Sequence, residues 1–470
     1  MTWWISIGVL SVIMLWQWWS NGARQGLAWI SLLSILLPSW LAAEFLGLPV
    51  PVRTVVCVIG LGAYCLHPQS NFPLRLGLID LSMLALFVTH IVSDLQHSQS
   101  IAVTLVEAYG EWFVPYVTAR LAFQSLADVR DTLPLGVAIV TILACLSIFE
   151  GVTRINPIEM AFGKRPLTGT TTGSAKGIVH HGKYEYKVRW GMRRAFGPTM
   201  HPIYFGTLQL ILAPWALYAA ARTNRGVGPL WWKVLPILSF LGIFFTMSRG
   251  PILGFAVLAY AYAFFRRPQW RIAMAGIAVA GIVAVAMFPN AFVGTIKSAS
   301  GEAKKFPRYV QLGDRRVEKS GTMTRLYLFS IYKRAMLKAG LFGYGSESVS
   351  SFPIRVPVDP DYVTAVKDIR FIDNVYIQTL LRFGYLGLAF LTAAGLFACM
   401  TFATMGWNPD MHGSAFCSAM ACSILAVMLV MLTVWFPQDY AFWLLWNLGV
   451  AAGLVPEWRR YAAQQEPDFS

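Results

Sequence analysis

Apolar residues run through this chain in long blocks, and polar residues gather between the blocks instead of alternating within them. The blocks predict helices at about 2–20, 25–46, 51–66, 75–94, 104–125 and 132–150. Four more follow at 201–221, 231–247, 250–266 and 271–288, and three at 374–402, 412–435 and 438–455. A spanning helix needs roughly 20 mostly apolar residues, the length of many of these blocks. The pattern therefore predicts an all-α polytopic membrane protein with about 12–13 transmembrane helices. Its parts are amino-terminal helices over 1–150, a polar loop over 151–200, helices over 201–288, a large loop over 289–372, helices over 373–455, and a tail over 456–470.

Composition agrees: the 470 residues are 56% hydrophobic and 13% charged, with a mean hydropathy of +0.54. The stretch Met1–Ser20 lacks a basic leading region and a small-residue cleavage site, so it reads as a first helix and not as a signal peptide. All six cysteines fall in apolar blocks, which supports neither a disulfide framework nor a cysteine zinc site. Thr168–Ser174 reads as a flexible loop segment.

Charge is distributed unevenly. Gly151–Met200 holds nine basic residues against two acidic ones, and Pro289–Ile372 holds fourteen against seven, so the two loops carry +14 of a net +15. Short connections set orientation. Arg222, Arg225, Arg266, Arg267 and Arg271 fall on one side with Arg24, Arg75, Arg130, Arg459 and Arg460, and that side is assigned to the cytoplasm. Both basic loops and Ser248–Arg249–Gly250 then face outward, where a cationic mouth favours an anionic, lipid-linked partner over nucleic acid.

Four polar clusters carry candidate chemistry. Arg193 and Arg194 end the first loop in the stretch Arg193–Pro202, where paired guanidiniums and a helix start suit phosphate oxygens; lipid headgroups or helix capping would use them equally well. His201 before Pro202 reads foremost as a helix-start residue. Arg249 sits in Ser248–Arg249–Gly250–Pro251, expected to be a tight Gly-Pro turn. Arg325 opens a basic segment of helical spacing that contains Arg334 and Lys338, and an amphipathic helix lying on lipid would have the same pattern. Asp373, beside Asn374, is expected first as a helix cap and second as a carboxylate that takes a sugar hydroxyl's proton or binds sugar. Glu44, Asp80, Glu107, Glu111, Arg120 and Glu150 lie in apolar blocks and need partners or water. Asp359–Pro360–Asp361 matches the short pattern of metal-dependent nucleotide-sugar enzymes, but three residues match too easily, and no metal or cofactor is expected.

In this order the pieces resemble the O-antigen ligase and Wzy-type polysaccharide polymerase superfamily of bacterial membrane glycosyltransferases. The matching pieces are Arg194–Pro202, Ser248–Arg249–Gly250, Arg325 with Gly343–Tyr344–Gly345, and Asp373–Asn374 before Gly384–Tyr385–Leu386–Gly387. The resemblance covers roughly residues 130–455. It implies transfer of glycan from undecaprenyl pyrophosphate at the outer face of the bacterial inner membrane, without metal or nucleotide sugar. Arg194, Arg249 and Arg325, with Arg193 beside them, would engage the pyrophosphate; His201 and Arg334 are further candidates. O-antigen ligases typically carry His-Asn where this chain has Asp373–Asn374, which favours a repeat-unit polymerase over a ligase. Donor and acceptor glycan lipids, the bilayer, a chain-length regulator and a flippase are the partners implied. A lipid-linked oligosaccharide transporter is the alternative class, expected to show charges along a continuous pathway and repeated halves.

Overall fold

The computed structural model describes residues 2–45, 48–67, 72, 76–97, 99–164, 188–189, 192–288, 294, 309–312, 315–318, 321–350, 354–368, 372–407, 413–435 and 437–465. Arg75, Thr168–Ser174 and much of both basic loops lie outside these residues. Each apolar block forms helix, and the three two-stranded hairpins are short, so the protein is an all-α, polytopic membrane protein. Among the described residues, six helices are long and apolar enough to cross a membrane: Leu78–Gln96, Leu126–Thr153, Pro202–Asn224, Pro268–Met287, Val375–Gly406 and Ser414–Thr433. Ala23–Leu36, Val52–Leu66 and Leu230–Phe245 are apolar but shorter.

Proline explains two departures from the expected helices. The block 25–46 ends at Leu36, because Pro38 forces Leu37 into an extended conformation, and the chain continues into the hairpin Ala42–Phe45/Leu48–Pro51. The block 104–125 begins at Ile101 and contains a π-helical turn at Tyr109–Phe113, just before Pro115. Proline has no N–H to continue the ladder, and the wider turn absorbs the mismatch.

Buried charges are paired across helices. Asp80 receives Arg120 and the Tyr116 hydroxyl, and Arg53 lies 3.8 Å from Asp439. Glu111 does not meet Arg120. It holds Arg382 through two bonds of 3.1 and 3.2 Å, with both side chains 4% exposed. Arg382 also donates to Ser346 Oγ, whose amide donates to Asp94 at 2.7 Å. His90, Asp94 and Glu107 place ligand-type atoms within 4.8 Å of one another. The Trp112 indole, a donor only, bonds His90 Nδ1 at 2.8 Å, so the ring proton sits on Nε2 and points at Asp94. That tautomer makes His90 a donor within a polar network and not a metal ligand.

A glycine seam joins the large loop to the membrane helices. The helix Val375–Gly406 breaks at Gly384 (φ 68°, ψ −166°), a conformation essentially confined to glycine. The freed backbone is taken up by the other glycine motif: Tyr344 N–H donates to Leu381 C=O, and Tyr385 and Leu386 donate to Gly340 and Leu341. A Cβ at Gly384 would lie 2.3 Å from the Leu341 carbonyl, and one at Gly343 would lie 2.6 Å from that of Arg382.

The large loop also builds a second, smaller core. Leu328, Ile331, Tyr332 and Ala335 form one face of the helix Gly321–Lys338 and pack with Val349, Ile354, Val366, Ile372 and Trp435. That face of the helix is turned onto protein, while Leu326, Phe329 and Leu337 of the same helix are exposed.

Three substitutions, two of them combined, test this frame. Glu111→Ala leaves the Arg382 guanidinium buried without its carboxylate and should lower stability by about 3–5 kcal/mol; Arg382→Met in the same chain should recover much of the loss. Gly384→Ala should cost about 2–4 kcal/mol through strain and contact with the Leu341 backbone. Thermal unfolding of the protein in nanodiscs reads both.

Candidate functional site

The segment Arg193–Pro202 is held along its whole length. Glu150, fully buried near the end of Leu126–Thr153, accepts the Phe196 and Gly197 amides at 2.8 and 2.9 Å. Asn156 caps the helix Pro157–Phe162 and donates to the Gly197 carbonyl. Ser39 N–H donates to Pro198, and Met200 N–H donates to Asp439 at 3.2 Å. Gly197 has φ +51°, and a Cβ there would meet the Phe205 ring at 2.4 Å. His201 caps the helix Pro202–Asn224, its Nδ1 accepting from Ile203 at 3.2 Å, as a helix-start residue should.

The two adjacent arginines point to different partners. Arg193 Nη2 lies 3.6 Å from both Glu150 and Glu159, and Arg193 donates to the Arg154 carbonyl. Arg194 is 5% exposed and bonds neutral oxygens, Thr246 C=O at 3.1 Å and Ser248 Oγ at 2.8 Å. Three further arginines act on it. Burial first, then the guanidiniums of Arg189, Arg249 and Arg325, push Arg194 down to about 9. Repulsion of this kind disfavours the cationic form, and an anion placed among the guanidiniums would remove it.

The positions of these arginines follow from local structure. Arg189 donates to Met247 C=O, and Ala195 N–H donates to Phe245 C=O, which fastens the first loop to the Thr246–Met247 turn. That turn carries the positive φ, +49° at Met247. The expected Gly-Pro turn is not there: Gly250 and Pro251 lie in the first turn of the helix Arg249–Arg266, where proline is tolerated because its amide would be unpaired anyway. Arg249 therefore stands at a helix amino terminus. Arg325, on Gly321–Lys338, lies 3.5 Å from Asp373, and both side chains reach solvent.

Asp373 does not cap the helix. Asn374 does, accepting the Ile377 amide at 3.0 Å and donating to Leu432 C=O. Asp373 is thereby free of the capping role and faces Arg325. Arg334 is engaged with Asp359 at 3.3 Å, which gives one aspartate of the Asp359–Pro360–Asp361 stretch a structural partner. Arg189, Glu150, Ser248, Asp439 and Arg382 were not singled out as site or support residues from sequence. Glu150 gave a signal as a carboxylate in an apolar helix, whereas Arg189 is one base among many in its loop.

Residues 234–392 match the family model for O-antigen ligase. The match includes Arg249, Arg325, Asp373 and both halves of the glycine seam, and it bears out the resemblance read from these motifs. Arg189, Arg193, Arg194 and His201 precede it. No curated protein matches the chain at a significant level. The O-antigen ligase match supports glycan polymerisation or ligation in general, by a glycosyltransferase-like enzyme in the membrane.

Anion binding should register as stability. Inorganic pyrophosphate at a hundredfold excess over its Kd should stabilise the protein by about 2.7 kcal/mol in thermal unfolding. Arg194→Gln should abolish the gain. Arg193→Gln should unfold at lower temperature, because Glu150 and Glu159 lose their cation, yet still respond to pyrophosphate.

Proposed function

We propose that this protein polymerises undecaprenyl-pyrophosphate-linked oligosaccharide repeat units into exopolysaccharide or O-antigen, at the outer face of the bacterial cytoplasmic membrane. The observation that carries the reading is the convergence of Arg189, Arg249 and Arg325 on the buried Arg194. Cations brought together from a braced loop and two helices suit a diphosphate whose charge grows as its bond to sugar breaks. In this reading Arg194 and Arg249 hold the diphosphate from the membrane side and Arg325 from the cap. Arg193 supports the loop through Glu150 and Glu159, and His201 starts the helix behind it.

The acceptor hydroxyl attacks the anomeric carbon, the bond from that carbon to the pyrophosphate oxygen breaks, and undecaprenyl pyrophosphate departs. The hydroxyl proton passes to Asp373, held beside Arg325 at 3.5 Å. A single displacement of this kind inverts the anomeric centre. A chain-length regulator and a flippase would work beside the enzyme as partners. Ligation of finished glycan to another acceptor uses the same donor chemistry, and the aspartate at 373, where ligases typically carry histidine, favours the polymerase.

The test is reconstitution in nanodiscs with the cognate lipid-linked repeat unit, with products read by gel and mass spectrometry. Wild type should give a ladder of longer lipid-linked glycans. Arg194→Ala, Arg249→Ala and Arg325→Ala should each slow transfer by about 10²–10³-fold while remaining folded. A folded wild type that makes no ladder would overturn the polymerase, and a single transfer to a different acceptor would assign it as a ligase.

A further inference from the structure

On the side opposite this site, three helices enclose a cavity of about 800 Å³. Its walls come from the start of Leu78–Gln96, the far end of Val375–Gly406 and the end of Gln438–Gln465. Leu78, Phe397, Met400 and Val455 make it largely apolar, and Arg459 and Arg460 line its rim, where both are exposed. Asp80 also reaches the cavity, but its carboxylate is already taken by Arg120, Tyr116 and the Gly77 amide. It therefore opposes an incoming anion little. Thr404 is likewise spent, donating to Thr401 C=O. The chemistry left at the rim is two guanidiniums above an apolar hollow between membrane helices.

We propose that this cavity binds an anionic glycerophospholipid of the cytoplasmic leaflet, with its acyl chain between the three helices and its phosphate on Arg459 and Arg460. Charge complementarity selects the occupant. Basic pockets between membrane helices on the cytoplasmic side recruit acidic headgroups, and a zwitterionic lipid would bring a phosphate already balanced by its own ammonium and so leave the charge of both guanidiniums uncompensated. The volume lies within the range of small-molecule sites, large enough for more than a headgroup. The site braces the inner end of the helix whose outer end carries Asn374 and follows Asp373. The proposal does not rest on the glycosyl-transfer reading, only on the chain spanning a membrane.

Delipidated full-length protein is reconstituted in nanodiscs of phosphatidylcholine with increasing phosphatidylglycerol, and thermal unfolding and lipid retained in native mass spectrometry are measured. Phosphatidylglycerol should raise Tm and remain bound to the wild type. Arg459→Gln/Arg460→Gln should weaken that response on the order of thirtyfold, each surface guanidinium contributing roughly fivefold to anionic-lipid binding. Met400→Trp, which keeps both arginines and fills the hollow, should also lose the retained lipid. Arg225→Gln, on the same basic face but away from the cavity, should respond as wild type does. An undiminished response in the double variant overturns the proposal. So does retention in Met400→Trp, which would reduce binding to surface attraction, or an equal loss in Arg225→Gln, which would make it a diffuse field effect.

Discussion

A charge inside a bundle of apolar helices has to find its opposite, because the surrounding lipid and hydrocarbon side chains supply nothing else. This requirement organises the protein. Asp80 is matched by Arg120, Glu111 by Arg382, Asp439 by Arg53, and Glu150 by Arg193. Each pairing joins segments far apart in sequence, so these contacts fix which helices are neighbours as well as neutralising one another. Arg194 differs: its bonds go to neutral oxygens, and the charges acting on it are other arginines. Positive charge gathered around Arg194 in this way is what the proposed diphosphate would offset.

The carboxylates that support this region act at one remove. Glu150 collects two consecutive amides of the Arg194 loop and faces Arg193, so one buried side chain sets the loop's path and steadies the arginine next to the working one. Asp439 pins the same loop at Met200 while facing Arg53. A loop fixed this closely keeps guanidiniums in position before any ligand arrives. In the proposed reading, the repulsion among them is met during folding and not during each turnover.

The second organising device is the backbone seam between Gly340–Tyr344 and the break at Gly384. A helix interrupted near lipid leaves amides and carbonyls that must be satisfied by other backbone, and the approach is close enough that only glycine fits. Through this seam, and through Ser346 on Asp94 and Arg382, the large loop is mounted on the membrane helices. Arg325 sits on the helix Gly321–Lys338, which contributes to the loop's small core, and Arg194 is held against the membrane bundle. The seam joins the two parts, so under the proposed function the two glycine motifs would be positioning elements for the arginine site.

Hydropathy alone determined the fold class and located the long apolar helices, because roughly 20 apolar residues in a row have few other uses; the short helices Pro157–Phe162, Gly345–Ser350 and Val363–Asp368 were not legible in it. It also marked Glu111 and Glu150 as residues that require explanation, while the motifs singled out Arg194, Arg249 and Arg325. It did not assign partners. Glu111 has Arg120 close by in sequence but pairs with Arg382, since partner choice depends on which helices pack together. Asp373 and Asn374 are both good caps by residue type; only the register of the helix start gives the cap to Asn374 and leaves Asp373 to Arg325. Arg193 and Arg194 are chemically identical neighbours, and the fold alone separates them, because successive side chains along an extended segment point to opposite sides and just one side holds carboxylates.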